Sequence, residues 1–141
     1  MKLMHKQLCE IGKLYLINSR QCNPVFIEKG SAKLSEFPDV IGWNSSECIV
    51  IECKTSMQDY YADLKKPHRE EGGLGNLRYY LVPEEMQNID PCNGWGLLVA
   101  RHANVRPEMI RGKNSLEFKR THEKEVLFMR SRIMEIQRFG C

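Results

Sequence analysis

Asp39 stands in the segment Phe37-Pro38-Asp39-Val40-Ile41-Gly42-Trp43, and Glu52 and Lys54 close the run Cys48-Ile49-Val50-Ile51-Glu52-Cys53-Lys54. Twelve residues separate the two carboxylates. Side chains alternate along a strand, so Glu52 and Lys54 share one face and Cys53 takes the other. If the two segments form a hairpin, Asp39 comes to lie near Glu52. Burying such charges costs roughly several kcal/mol each unless they are paired or bind a cation. Two carboxylates with a backbone carbonyl, that of Cys53, make a hard-oxygen set suited to Mg²⁺ or Mn²⁺. A hydrated ion of this kind presents water to a phosphodiester. Lys54 would orient that water or stabilise charge developing on phosphorus. The competing reading is an ordinary Glu–Lys pair on a strand.

The elements around these residues follow from periodicity and punctuation. Residues 2–17 repeat Leu3, Met4, Leu8, Ile11, Leu14 and Tyr15 at helical spacing. Strands are expected at Pro24–Glu28, Phe37–Trp43 and Cys48–Lys54, with a polar connection Lys29–Glu36 between the first two. The third is nearly all apolar, so it should be central and buried on both faces. Ser56 is a candidate N-cap for a helix to about Lys66, which Pro67 stops. His68–Gly75 reads as a loop, Leu77–Val82 as a fourth strand, Pro83–Met86 as a short helix and Gly94–Arg101 as a fifth strand. Asn104–Lys119 suggests a hairpin. Thr121 to about Gln137 is expected to be a helix whose apolar side is Val126, Leu127, Met129, Ile133, Met134 and Ile136. The order implies an α/β protein, a mixed sheet flanked by helices. A single domain over residues 1–141 suits the length.

Pro38-Asp39 and Glu52-Cys53-Lys54, set in an α-β-β-β-α-β order, resemble the PD-(D/E)XK nuclease superfamily. The resemblance spans about residues 1–101 and leaves 102–141 as a C-terminal extension. It implies a restriction-endonuclease-like core. It also implies that Asp39 and Glu52 bind the divalent metal while Lys54 assists the attacking water. Lys54-Thr55-Ser56-x-x-Asp59-Tyr60-x-x-Asp63-x-Lys65 and Arg78-Tyr79-Tyr80-Leu81-Val82-Pro83 look like a small stand-alone branch. Bacterial DNA-repair-associated proteins of the MmcB type belong to that branch. The expected activity is metal-dependent hydrolysis of DNA, selective for structure rather than sequence, with RNA also open as substrate. Many short relatives are dimers, so a homodimer is a candidate assembly. The alternative is a non-catalytic module that binds nucleic acid or protein on the same fold.

Family members often add an acidic residue from the first helix, and Glu10 is the candidate here; a solvent-facing glutamate is the other reading. Asp59 and Asp63 share a helical face and read as surface charges paired with Lys65 or Lys66. Lys65, Lys66, Arg101 and Arg106 are candidates for phosphate contact. An exposed member of Tyr60, Tyr61, Tyr79 or Tyr80 would be able to stack on a base. Charge is uneven: residues 1–100 carry a net −2 and residues 101–138 a net +5. A basic C-terminal third suits an anionic partner such as DNA.

The composition, 42% hydrophobic and 28% charged, excludes collagen-like and wholly disordered chains. Apolar runs are too short for a membrane span. The N-terminal residues lack the apolar stretch of a signal peptide, so a cytoplasmic location is expected. The six cysteines contain no Cys-x-x-Cys pair, and no histidine pair stands at zinc-finger spacing. No phosphate-binding glycine loop, nucleophile elbow or His-Glu-x-x-His motif is present.

Overall fold

The structure, a computed structural model, describes residues 2–27, 38–65, 74–91, 94–111 and 122–139. Helix α1 (His5–Asn18) leads into strands β1 (Val25–Ile27), β2 (Val40–Trp43) and β3 (Cys48–Cys53). Helix α2 (Met57–Leu64), β4 (Leu77–Pro83), a 3₁₀ turn at Glu84–Met86, β5 (Gly96–Ala100), β6 (Glu108–Arg111) and α3 (His122–Phe139) follow. The six strands lie in the sheet in chain order. β3, β4 and β5 run parallel, and β1, β2 and β6 are antiparallel to their neighbours. This is the mixed α/β arrangement expected from the element order.

β3 is buried along its whole length, as a strand apolar on both faces must be. Ile49, Ile51 and Cys53 look toward α1, where they join Leu8, Cys9, Ile11 and Leu16. Cys48 and Val50 look to the opposite face, toward Tyr60 of α2 and Phe128 of α3. Helix α1 approaches the sheet closely at Gly12. A Cβ there would lie 3.3 Å from Val40 and 3.4 Å from Leu81. Ser56 caps α2 as expected, its hydroxyl accepting from the Asp59 N–H at 3.1 Å.

The terminal helix reverses the expected burial. Val126, Leu127, Ile133, Met134 and Ile136 are exposed, whereas Glu125, Phe128 and Arg132 are buried. Phe128 packs against Phe26 and Trp43, with ring centroids 5.9 and 6.3 Å away. Glu125 accepts from Trp43 Nε1 at 3.3 Å and from the Gly75 N–H at 3.1 Å. Partners far away in the chain therefore draw a charged residue inward, which apolar periodicity does not report. Within the segment Asn104–Lys119, where a hairpin is expected, β6 pairs antiparallel with β5, and residues 112–119 lie outside the described residues. The connection 29–36 and Pro67 also lie outside the described residues. Among the described residues, no helix is long and apolar enough to cross a membrane.

Candidate metal and catalytic site

Asp39 and Glu52 lie at the same end of the β2–β3 pair. Val40, the first residue of β2, pairs with Ile51; Asp39 directly precedes β2, and Glu52 directly follows Ile51 in β3. Asp39 Oδ2 accepts the Cys53 N–H at 2.8 Å, which ties the residue to the end of β3. Glu52 is 2% exposed, while the Asp39 side chain keeps 17% of its surface. Both carboxylates act on the Cys53 thiol between them. Burial first, then a hydrogen bond with Cys9 and then these charges, hold that thiol well above the ordinary cysteine range.

Lys54 leaves β3 on the α2 side. Its Nζ lies 3.0 Å from Asp63 Oδ1, and the Asp63 side chain is fully buried. The Tyr80 hydroxyl donates to Asp63 Oδ2 at 3.0 Å. Tyr80 is itself fixed, stacked on Trp95 at 4.7 Å and edge-on to Tyr60 at 5.1 Å. The expectation that Asp63 is a surface charge fails for this reason. Because α2 starts three residues after Lys54, its inward face carries Tyr60 and Asp63 onto the sheet. The partner of Asp63 is therefore the strand lysine, not Lys65. Asp59 and Gln58 are exposed.

On α1 the structure turns Glu10 to solvent. The residues facing Asp39 are His5 and Cys9, one helical turn apart. His5 Nε2 lies 3.4 Å from Asp39 Oδ2, and Cys9 Sγ lies 3.9 Å from His5 Nδ1. Ligand atoms of His5, Cys9 and Asp39 all fall within 4.8 Å of one another. The sequence held the signal for this group, a His-x-x-x-Cys step on an amphipathic helix. Counting cysteines against zinc-finger spacings passes over it.

The candidate phosphate-binding residues separate. Lys65 is exposed at the C-terminal end of α2, and Lys66 lies outside the described residues. Arg101 is engaged by Glu84 at 3.4 Å, Glu108 at 3.2 Å and Gln87 at 3.2 Å. Arg106 is exposed and lines a cavity of about 250 Å³ together with Leu14, Tyr15 and Asn18 of α1. Tyr60, Tyr79 and Tyr80 are core residues, whereas Tyr61 is 56% exposed beside a groove lined by Met57, Leu64 and Ile89.

No family model matches the chain. Nor does any curated protein match it. Among solved structures it is similar to the SPO1766 protein of unknown function from Silicibacter pomeroyi, at 22% identity and a TM-score of 0.67. The match covers 99% of this chain and 95% of that one. It bears on the fold alone.

Proposed function

We propose that the chain is a metal-dependent nuclease acting on DNA. The observation that carries the reading is the end of β3, where Glu52 and Lys54 flank Cys53, the Cys53 N–H holds Asp39, and Lys54 is anchored on buried Asp63. The donor set fits a hard divalent cation, because Asp39 and Glu52 offer carboxylate oxygens at the end of a strand that also supplies the Cys53 carbonyl. These residues would hold Mg²⁺ or Mn²⁺. Bound there, the ion would supply a polarised water and neutralise charge on the phosphate.

The chain's own groups do the rest. The Asp39–Cys53 hydrogen bond fixes one carboxylate against the strand end. Lys54 carries the positive charge that meets a non-bridging phosphate oxygen or orients the attacking water. Asp63 is a positioning residue. It holds the Lys54 ammonium from behind, and Tyr80 holds Asp63 in turn. Arg106 and Lys65 remain exposed for the nucleic-acid backbone, and Tyr61 for stacking.

The test is a cleavage panel of supercoiled plasmid, linear duplex, single-stranded DNA and RNA, each with Mg²⁺, Mn²⁺ or EDTA. Cleavage that requires the divalent ion is the expected result. Intact substrates under every condition would overturn the reading in favour of a non-catalytic binding module. Cleavage of RNA alone would overturn the choice of DNA.

A further inference from the structure

The group on α1 offers chemistry that the hard-oxygen site does not use. A thiol, an imidazole and a carboxylate are the donors of borderline transition ions, zinc above all, and not of Mg²⁺. We propose that His5, Cys9 and Asp39 form a binding site for a zinc-class divalent ion, with water as the fourth ligand. This goes beyond the nuclease reading and shares only Asp39 with it.

Geometry supports the assignment. Zinc holds sulfur at about 2.3 Å and nitrogen or oxygen at about 2.0–2.2 Å, so the edges of its tetrahedron run about 3.3–3.7 Å. His5 approaches Asp39 through Nε2 at 3.4 Å and Cys9 through Nδ1 at 3.9 Å, and an ion would take one of the two nitrogens. The three ligand atoms, all within 4.8 Å of one another, need to close by only about an ångström. His5 and Cys9 sit four apart on the first turns of α1, a spacing that turns both side chains to one face of a helix. Asp39 comes from a different element and is oriented by the Cys53 N–H, as a metal-binding carboxylate commonly is by a neighbouring donor.

Burial is graded in the way an open site requires. Cys9 is 1% exposed, whereas the His5 side chain is 40% and the Asp39 side chain 17% exposed. The sulfur thus lies at the dry back of the group and the nitrogen and oxygen at its wet mouth. A fourth position facing solvent suits water. An ion held here would tie the start of α1 to the β2–β3 hairpin.

Titration of the full-length, metal-free protein with Co²⁺ tests the assignment. Cobalt takes zinc's tetrahedral sites, and a thiolate ligand gives it a near-ultraviolet charge-transfer band beside strong visible bands. One equivalent should develop both, and added Zn²⁺ should abolish them. Cys9→Ser should lose the charge-transfer band. His5→Gln, at a half-exposed position, should fold even if the core substitution does not, and should need about ten times more Co²⁺ for half-saturation. Circular dichroism reports the fold of each variant. Saturating Co²⁺ without a charge-transfer band would overturn the proposal. So would a band that persists in folded Cys9→Ser, or His5→Gln binding Co²⁺ as tightly as the wild type. The readout is absorbance of bound cobalt, so it is independent of whether the chain cuts nucleic acid.

Discussion

At the residue scale the site depends on charges held against one another in low dielectric. Asp63 is the clearest case, taking Lys54 on one oxygen and Tyr80 on the other. Asp63→Asn should cost about 2–4 kcal/mol, because the Lys54 ammonium loses its counter-charge in a mostly buried place. Tyr80→Phe removes one neutral donor and should cost only about 1–2 kcal/mol. Urea denaturation of the two variants checks the order. The thiols carry a second prediction. Burial pushes the Cys22 thiol up to about 11, against the lowering pull of Arg20 and with a small push from Glu47. A group whose proton is held more tightly in the folded state stabilises the fold fully below its unfolded pKa of about 8.5 and loses that contribution as pH rises through the folded value. Thermal stability should therefore fall between about pH 8.5 and 11, and Cys22→Ala should flatten the fall. The β2–β3 hairpin that carries Asp39, Glu52 and Lys54 was legible, because alternation and turn signals are local rules. The sequence did not show Asp63 as the lysine's partner, since that pairing depends on how α2 turns back onto the sheet.

At the scale of elements, short connections determine which side chains meet. β3 runs into α2 through three residues, and the buried segment before β4 returns the chain to the sheet. Gly75 is the pivot of that return. Its φ is +80°, its N–H donates to Glu125 and its carbonyl accepts from Arg78 Nε at 3.1 Å. A Cβ at this position would lie 2.8 Å from Val50 Cγ2 and 3.1 Å from the Cys48 carbonyl oxygen. Gly75→Ala should cost about 1–3 kcal/mol, measured as a lower denaturation midpoint with an unchanged slope. Most strands and α1 were legible from periodicity, because a central apolar run and an amphipathic stripe leave direct traces. The Ser56 cap was legible for a similar reason, a single side chain serving a neighbouring N–H. The first helix also shows the limit. The family resemblance points to Glu10 as the acidic residue of α1, whereas the face toward Asp39 carries His5 and Cys9.

For the whole molecule, the sheet separates two packing environments. α1 covers one face, and α2 with α3 covers the other. α3 is held by Phe128 among Phe26 and Trp43 and by the buried Glu125 carboxylate, so a charge does part of the docking. Glu125→Ala would strand the Trp43 and Gly75 N–H groups and should destabilise the fold by about 2–4 kcal/mol. Hydrogen exchange should then show the protection of α3 falling more than that of β3 or β4. Apolar counting misread this helix because the inward residues include Glu125 and Arg132, whose burial reflects partners elsewhere in the fold. Asp39 is held at the end of β3 by the Cys53 N–H, and Lys54, two residues after Glu52, is held by Asp63 of α2. The most direct test is the cleavage rate of Asp39→Asn and Lys54→Ala on the DNA that the wild type cuts with Mg²⁺, each variant first shown to be folded. Both should lose about a hundredfold or more. Folded variants that cut at the wild-type rate would contradict the account.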